Sequence, residues 1–354
     1  MSGRSGVVSG SPYHRLRVAE VIEETADARS IVLAVPGDLA QTFAYDAGQF
    51  LTFRVRVGEE RLVRCYSLAS APVGDVRHKV TVKRVEGGRV SNWMNDRVEV
   101  GSELEVMKPA GIFCLRPATS KLILFSGGSG ITPVISIIKT ALESTQRPIK
   151  LVYANRDAGS IIFAAELDAL AARHGDRLEV VHRLDDTHGF VTGELVEEQI
   201  GADTRADFYT CGPGPFMDVV EGTLQRLGVG AEQIFIERFV SDEVAGAPAE
   251  ARAPREGGGT EGARVVSVSL EGETRELSLE PGETILQAAR REGMDPPFAC
   301  EEAYCGCCMA KVLEGKVEML RNDGGIDAEQ IAEGWVLTCQ GIPASENCQI
   351  EYPD

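Results

Sequence analysis

The chain has 354 residues, of which 43% are hydrophobic and 25% charged, with a net charge of −18. That length suits two or three soluble domains, and the negative balance argues against nucleic acid as a partner. No apolar run approaches the roughly 18 residues needed to span a bilayer; with an N-terminus that lacks an apolar signal region, a cytoplasmic protein with no membrane partner is expected.

Residues 1–13 read as a flexible tail. Residues 14–118 are built from short runs with β-branched residues, among them SIVLAV, GQFLTFRVRV, VRCYSLAS and HKVTVKRV. Such runs between close turns predict an antiparallel β-barrel, interrupted by the helix-like stretch VSNWMNDRV. Alternation along RCYSLAS places Arg64 and Tyr66 on one face. Arg64 can hold a pyrophosphate bidentately, Tyr66 can lie on a flavin ring, and the Ser67 hydroxyl can reach the hydride-accepting edge. In GGRVSNWM, amides from Gly88 to Ser91 at a helix start can hold phosphate. An ordinary N-cap at Ser91 is the plainer alternative.

Residues 119–241 alternate strand and helix, which predicts a parallel α/β sheet. The strand KLILF runs through SGGSGITP into the helix VISIIKTALES. Gly127, Gly128 and Gly130 permit a tight turn and close phosphate approach, Thr132 can cap, and Pro133 suits the first helical turn. Proline in place of the last glycine departs from the G-x-G-x-x-G fingerprint. CGPGPFM follows a later strand at the carboxyl edge of the sheet, where ligands bind in open α/β folds. Cys211 there is either a packed hydrophobe or a neighbour of a nicotinamide.

Residues 242–264 are rich in Gly, Ala, Pro and charge and read as a linker. Residues 265–354 hold 18 acidic against 6 basic residues, either a well-solvated domain or an acidic docking face for a basic redox partner. The hairpin VVSVSL/RELSLE, a helix, a cysteine loop, the strands GKVEM, WVLTC and CQIEY and the short helix DAEQIAEG fit a β-grasp domain. Cys300, Cys305, Cys308 and Cys339 follow the C-x4-C-x2-C…C spacing of a plant-type 2Fe-2S cluster. Zinc sites usually pair C-x2-C units, and one such spacing occurs here. Cys307, inside that loop, is expected to point away from the cluster. It and the remaining cysteines, Cys65, Cys114, Cys211 and Cys348, suit a reducing compartment. None of the five histidines shows ligand or triad spacing.

RCYSLAS, GGRVSNW, GGSGITP, YANRD, CGPGPFM and the cysteine loop occur in the order flavin, nicotinamide, ferredoxin. The chain therefore resembles the ferredoxin–NAD(P) reductase superfamily, in its oxygenase-reductase branch with a C-terminal plant-type ferredoxin domain. The resemblance implies that Arg64, Tyr66 and Ser67 contact FAD and that Gln49 and Phe50 border the flavin site. It implies that Gly88, Val90 and Ser91 hold the FAD phosphates. Gly128, Thr132, Cys211, Gly212 and Pro213 would line the nicotinamide nucleotide site, and Phe239 would shield the flavin face. Tyr66, Ser67 and Cys211 would be the catalytic residues. The implied activity is an electron relay from NADH through FAD and a 2Fe-2S cluster to a terminal oxygenase. That oxygenase would be a Rieske enzyme of the 3-ketosteroid 9α-hydroxylase type, the alternative being the phenylacetyl-CoA epoxidase or aromatic-acid type. NADH is favoured because Arg156 stands beside Asp157, whereas a 2′-phosphate calls for uncompensated positive charge. A cofactor-binding sensor and a reductase of a small-molecule acceptor are the competing readings, separated by NADH turnover with an artificial acceptor and by partner capture.

Overall fold

The computed structural model describes residues 13–239 and 264–353, except positions 271, 295, 299, 302, 323, 324 and 327. The expected tail and linker lie outside the described residues, save Tyr13 and Arg264, which each open a strand.

The first domain is a six-stranded antiparallel sheet, made of β1 (Tyr13–Thr25), β2 (Ala28–Ala34), β3 (Phe50–Val57), β4 (Glu60–Ser67), β5 (His78–Lys83) and β6 (Glu103–Met107) in the order β4-β3-β6-β1-β2-β5. The two outer strands meet through a Leu68–Val80 bridge and a hydrogen bond from Ala69 N–H to Lys79 C=O, 2.7 Å, which rolls the sheet towards closure. Inward positions recur with period two: Leu16, Leu33, Leu51, Phe53, Val80 and Val106 form one core. Helix α1 (Arg89–Arg97) plugs it with Val90 and Met94.

The second domain is a parallel sheet in the order β11-β10-β7-β8-β9. Its strands are β7 (Leu122–Gly127), β8 (Ile149–Asn155), β9 (Leu178–Leu184), β10 (Asp207–Cys211) and β11 (Ile234–Glu237). Every residue of β7 is buried, as the central strand of a sheet covered on both faces must be. Helices α2 (Ile131–Ser144) and α3 (Ala164–Arg173) back one face, while α5 (Gly193–Ile200) and α6 (Gly214–Arg226) back the other; α4 (Asp185–His188) is a single turn after β9. The sequence reading had not foreseen α5. It lies in the crossing that carries the chain from one edge of the sheet back to β10, and Thr192 caps it by accepting from Leu195 N–H. Strand order reverses at the β7/β10 seam, the position where open α/β sheets bind ligands.

The third domain comprises β12 (Arg264–Leu270), β13 (Glu273–Leu279), α7 (Ile285–Arg291), β14 (Met309–Glu314), β15 (Val317–Met319), α8 (Ala328–Ala332), β16 (Trp335–Leu337), β17 (Gly341–Pro343) and β18 (Gln349–Glu351). The main sheet runs β13-β12-β18-β14-β16, with β12 and β18 parallel and the other pairs antiparallel. Two strands, β14 and β17, exceed those expected. The first runs straight out of the cysteine loop and the second is three residues long and contains proline, so neither carries a clear alternation signal.

Polar contacts bind the first two domains. Lys139 pairs with Glu166 at 2.8 Å and with Asp75 at 2.5 Å, and Lys79 pairs with Glu166 at 3.0 Å. Burial works to raise the Glu166 carboxyl, but the two lysines outweigh it and hold it low. Arg147, 2% exposed, donates to Ser120 and Arg116 carbonyls and pairs with Asp207, fastening the connecting segment to the sheet. The third domain meets the first through apolar contacts. Met107 and Tyr13 pack among Leu286, Met309 and Leu337. Phe50 and Val63 pack against Cys300, Cys305 and Cys307.

Candidate functional site

On β4, alternation sets Arg64 and Tyr66 on one face and Val63 and Cys65 on the other. Tyr66 leans its ring on Phe53 at 5.8 Å between centroids, half-buried. Arg64 donates to its neighbour's carbonyl, Val63 O, at 2.7 Å. Gln49 organises the adjacent loop by accepting from Asp46 N–H at 2.9 Å and donating to Gly111 O at 3.3 Å. Phe50 turns towards the cysteine loop of the third domain.

Ser91 is not the N-cap of α1. The cap is Gly88, with no side-chain hydrogen bond, while the Ser91 hydroxyl accepts from Val85 N–H at 3.3 Å. A side chain at Gly88 would bring its Cβ within 2.4 Å of Ser91 Oγ. The first-turn amides thus have no side-chain cap, a setting that suits a pyrophosphate. Val90 is fully buried in the barrel core, so it can offer a ligand only its backbone.

At the β7/β10 seam two glycine turns pack backbone to backbone. A Cβ on Gly130 would sit 2.1 Å from Cys211 O, and one on Gly127 would sit 2.8 Å from Pro213. Gly128 has φ +52°, a left-handed conformation that favours glycine. Thr132 does not cap α2: the N-cap is Gly130, and the Thr132 hydroxyl donates to Ser129 O at 3.0 Å, tightening the turn itself. Gly212 and Pro213 form the second turn, and Pro213 is the N-cap of α6. Behind the turns, the hydroxyls of Ser126 and Thr210 are buried without a partner among the described residues. Register sets Ser126 beside Cys211 and Thr210 beside Phe125, on opposite faces of the sheet, so the two hydroxyls do not converge on one ligand. Cys211 is fully buried, and burial, then the nearby Glu237, pushes its thiol well up.

Glu237, which the sequence reading passed over, closes this site. Register places it beside Cys211, and Ser67 Oγ donates to its carboxylate at 3.1 Å. Burial pushes its carboxyl up to about 8, so the pair holds a proton at neutral pH between the barrel and the sheet. A lone carboxylate in the apolar run IFIE, two residues before the singled-out Phe239, was the available signal. Phe239 itself is 42% exposed.

In the third domain Cys300, Cys305, Cys308 and Cys339 are each 5% exposed or less. The antiparallel pair Met309–Leu337 brings Cys308 beside Thr338. Thr338 donates to Cys308 O from N–H at 3.1 Å and from its hydroxyl at 2.9 Å. The loop bends through left-handed residues Glu301, Ala303 and Gly306, with φ of 54°, 64° and 72°. A Cβ on Gly306 would lie 2.7 Å from Gly325 O. Four buried thiols, three on a curled loop and one at a strand end, fit a two-iron cluster. Cys307 points to the barrel: its sulfur lies 3.7 Å from Cys65 and 3.6 Å from Thr52 Oγ1. Cys65, Cys305 and Cys307 place their sulfurs within 4.8 Å of one another across the domain boundary. All nine cysteines are free.

Residues 15–114 match the family description "Oxidoreductase FAD-binding domain", residues 124–222 "Oxidoreductase NAD-binding domain", and residues 268–344 "2Fe-2S iron-sulfur cluster binding domain". The chain is 43% identical over 351 residues to the ferredoxin reductase component of 3-ketosteroid-9-alpha-monooxygenase from Rhodococcus rhodochrous, covering 98% of this chain and 99% of that one. It is 34% identical over 358 residues to a component of the 1,2-phenylacetyl-CoA epoxidase from Escherichia coli, covering 96% and 98%. Among solved structures, phthalate dioxygenase reductase shares the three-domain fold, with a TM-score of 0.61 at 24% identity, over 97% of this chain and all of that one. Among the described residues no helix is long and apolar enough to cross a membrane.

Proposed function

We propose a role that proceeds from one premise: this chain belongs to the family of oxygenase reductases in which FAD-, NAD- and 2Fe-2S-binding domains follow one another. It is an electron-transfer reductase, and its partner is a terminal oxygenase. The finer reading is NADH as donor and a Rieske-type oxygenase of a 3-ketosteroid as acceptor, favoured by the 43% identity to a ketosteroid monooxygenase reductase.

A bound flavin takes an electron pair from a nicotinamide and releases single electrons, which a 2Fe-2S centre carries one at a time. The chain's own residues set where this happens. Arg64 and the α1 amides would hold the pyrophosphate, and Tyr66 would flank the flavin ring. The Ser67–Glu237 pair would hold a proton close to a flavin bound there. The Gly127–Gly130 and Cys211–Pro213 turns would take the nicotinamide nucleotide, with Cys211 excluding water. Cys300, Cys305, Cys308 and Cys339 would hold the cluster. The observation that carries the reading is the contact of Cys307 with Cys65 at 3.7 Å, by which the cysteine loop lies directly behind the strand that bears Arg64 and Tyr66.

Asp27 supports NADH over NADPH. Its carboxylate, from the barrel, lies 2.9 Å from Arg156 and 3.9 Å from Lys83. Burial would raise it, but Thr25, Lys83 and Arg156 hold it low and ionised; with Asp157 also acting on Lys83, two carboxylates offset the two cations that a 2′-phosphate would seek. Asp27→Ala should narrow the NADH preference by about threefold in kcat/KM, the scale of an exposed ion pair.

The test is an anaerobic NADH titration followed by visible spectroscopy, with iron and sulfide assays. Bleaching of both flavin and cluster bands is expected. Reconstitution then separates partners. Product from a ketosteroid substrate with a Rieske oxygenase supports the reading, and product only with a phenylacetyl-CoA epoxidase moves the chain to that branch. Material without iron and sulfide sinks it.

A further inference from the structure

We propose that Tyr304 is the positioning residue that seats the cysteine loop against both other domains. The proposal rests on the function proposed above, because what it positions is the cluster relative to the flavin. Tyr304 directly precedes Cys305. Its ring meets Phe50 of the barrel edge-to-face, with centroids 6.4 Å apart and planes at 77°, an arrangement aromatic pairs favour. Its hydroxyl donates to Arg238 O of the second domain at 3.2 Å. That acceptor is itself held: the Arg238 guanidinium pairs with Asp218 at 2.9 Å and Glu221 at 2.8 Å on α6. One residue earlier, Glu237 accepts from Ser67. One side chain on the cluster loop therefore touches the barrel and the end of the nicotinamide domain at once.

Cys307, Phe50 and Val63 contribute soft contacts between the loop and the barrel. Cys307 meets Cys65 and Thr52 through its sulfur at 3.7 and 3.6 Å, and sulfur contacts are weakly directional. Phe50 and Val63 contribute apolar burial, which has no preferred orientation. Tyr304 adds a directional contact. A residue that merely covered Phe50 would not need a hydroxyl aimed at a carbonyl of the second domain.

The experiment compares the wild-type holoprotein with Tyr304→Phe and Tyr304→Leu. Single-turnover mixing with NADH, followed at the flavin and cluster bands, separates flavin reduction from cluster reduction. Hydrogen exchange over residues 63–67 and 303–309 reports the seat independently of activity. Flavin reduction and ferricyanide turnover should stay at the wild-type level in both variants. Cluster reduction should slow by about tenfold in Tyr304→Leu, the scale of a sub-ångström misplacement, with faster exchange in both segments. Tyr304→Phe, which keeps the ring, should fall between. Full iron content with wild-type cluster reduction and wild-type exchange in Tyr304→Leu overturns the proposal. Loss of iron in that variant while Tyr304→Phe shows wild-type exchange and rate overturns it as well, since Tyr304 would then serve only the loop's own fold. A wild-type protein without iron fails the functional reading instead.

Discussion

The two glycine-bearing sites of this chain are built in opposite ways. At the β7/β10 seam, Gly130 and Gly212 let main chain lie on main chain, and a Cβ at Gly130 would fall 2.1 Å from Cys211 O and one at Gly212 3.0 Å from Gly127 N. The turns hold each other, and the chain alone shapes that site. In the cysteine loop, Glu301 and Ala303 occupy left-handed conformations that cost non-glycine residues roughly 1–3 kcal/mol each, and the thiols of Cys300, Cys305 and Cys308, like that of Cys339, are buried. A thiol must lose its proton to bind metal, so this loop is completed by what it binds. A preformed nucleotide site suits a ligand that comes and goes with each turnover. A site closed by its occupant suits a resident group.

The comparison breaks first at Cys339. Cys339→Ser should remove the cluster, with iron and sulfide lost and cytochrome c reduction abolished, while ferricyanide reduction through the flavin persists. If both activities vanish with FAD still bound, the relay order is wrong. Metal removal should likewise lower the melting of the third domain and leave the second unchanged, checked by calorimetry.

Gly130→Ala attacks the preformed side. The new methyl group has no room, so unfolding of the second domain should need at least about 3 kcal/mol less free energy, read from denaturant titration, with the iron content intact. An unchanged midpoint would show that the seam yields and is not preformed.

The Ser67–Glu237 pair sharpens the same point by pH. Its folded pKa of about 8 lies above the ordinary carboxyl value of 4.5. Between those values the unfolded chain releases a proton that the folded chain keeps, so stability falls as pH rises through that window, by up to about 1.4 kcal/mol per pH unit. Below it both states are protonated and the contribution is constant. Glu237→Gln should flatten that slope, seen by unfolding at a series of pH values.

The smallest effect is expected at Ala303. Ala303→Gly relieves a positive φ and should stabilise the third domain by about 1 kcal/mol, measured as a small rise in its melting temperature. A fall would mean that the bend is unstrained.

Much of this was legible beforehand. The alternation of β1 to β6, the all-apolar β7 and the strand–turn–helix punctuation by glycine are local patterns, and local patterns report local structure. The helix α5 and strands β14 and β17 were missed because they are short or lie in crossings whose paths only the sheet order dictates. Thr132 and Ser91 have the right chemistry to cap, yet each hydroxyl is taken by a neighbouring turn, a choice that hydrogen-bond geometry makes and composition does not show. Glu237 carries no motif, and it gains its role only where β11 lies beside β10.

What the residues alone determined is the kind of chemistry: cysteines at the spacing of a two-iron cluster, glycines at strand-to-helix turns, and three hydrophobic patterns that each build one domain. Tertiary structure decided which groups meet. Ser67 finds Glu237 from 170 residues away, and Cys65 finds Cys307 from 242. Ligand spacing is set along a covalent chain, where distance is short and countable. Meetings between domains are set by which surfaces pack, and packing depends on every side chain at the boundary at once.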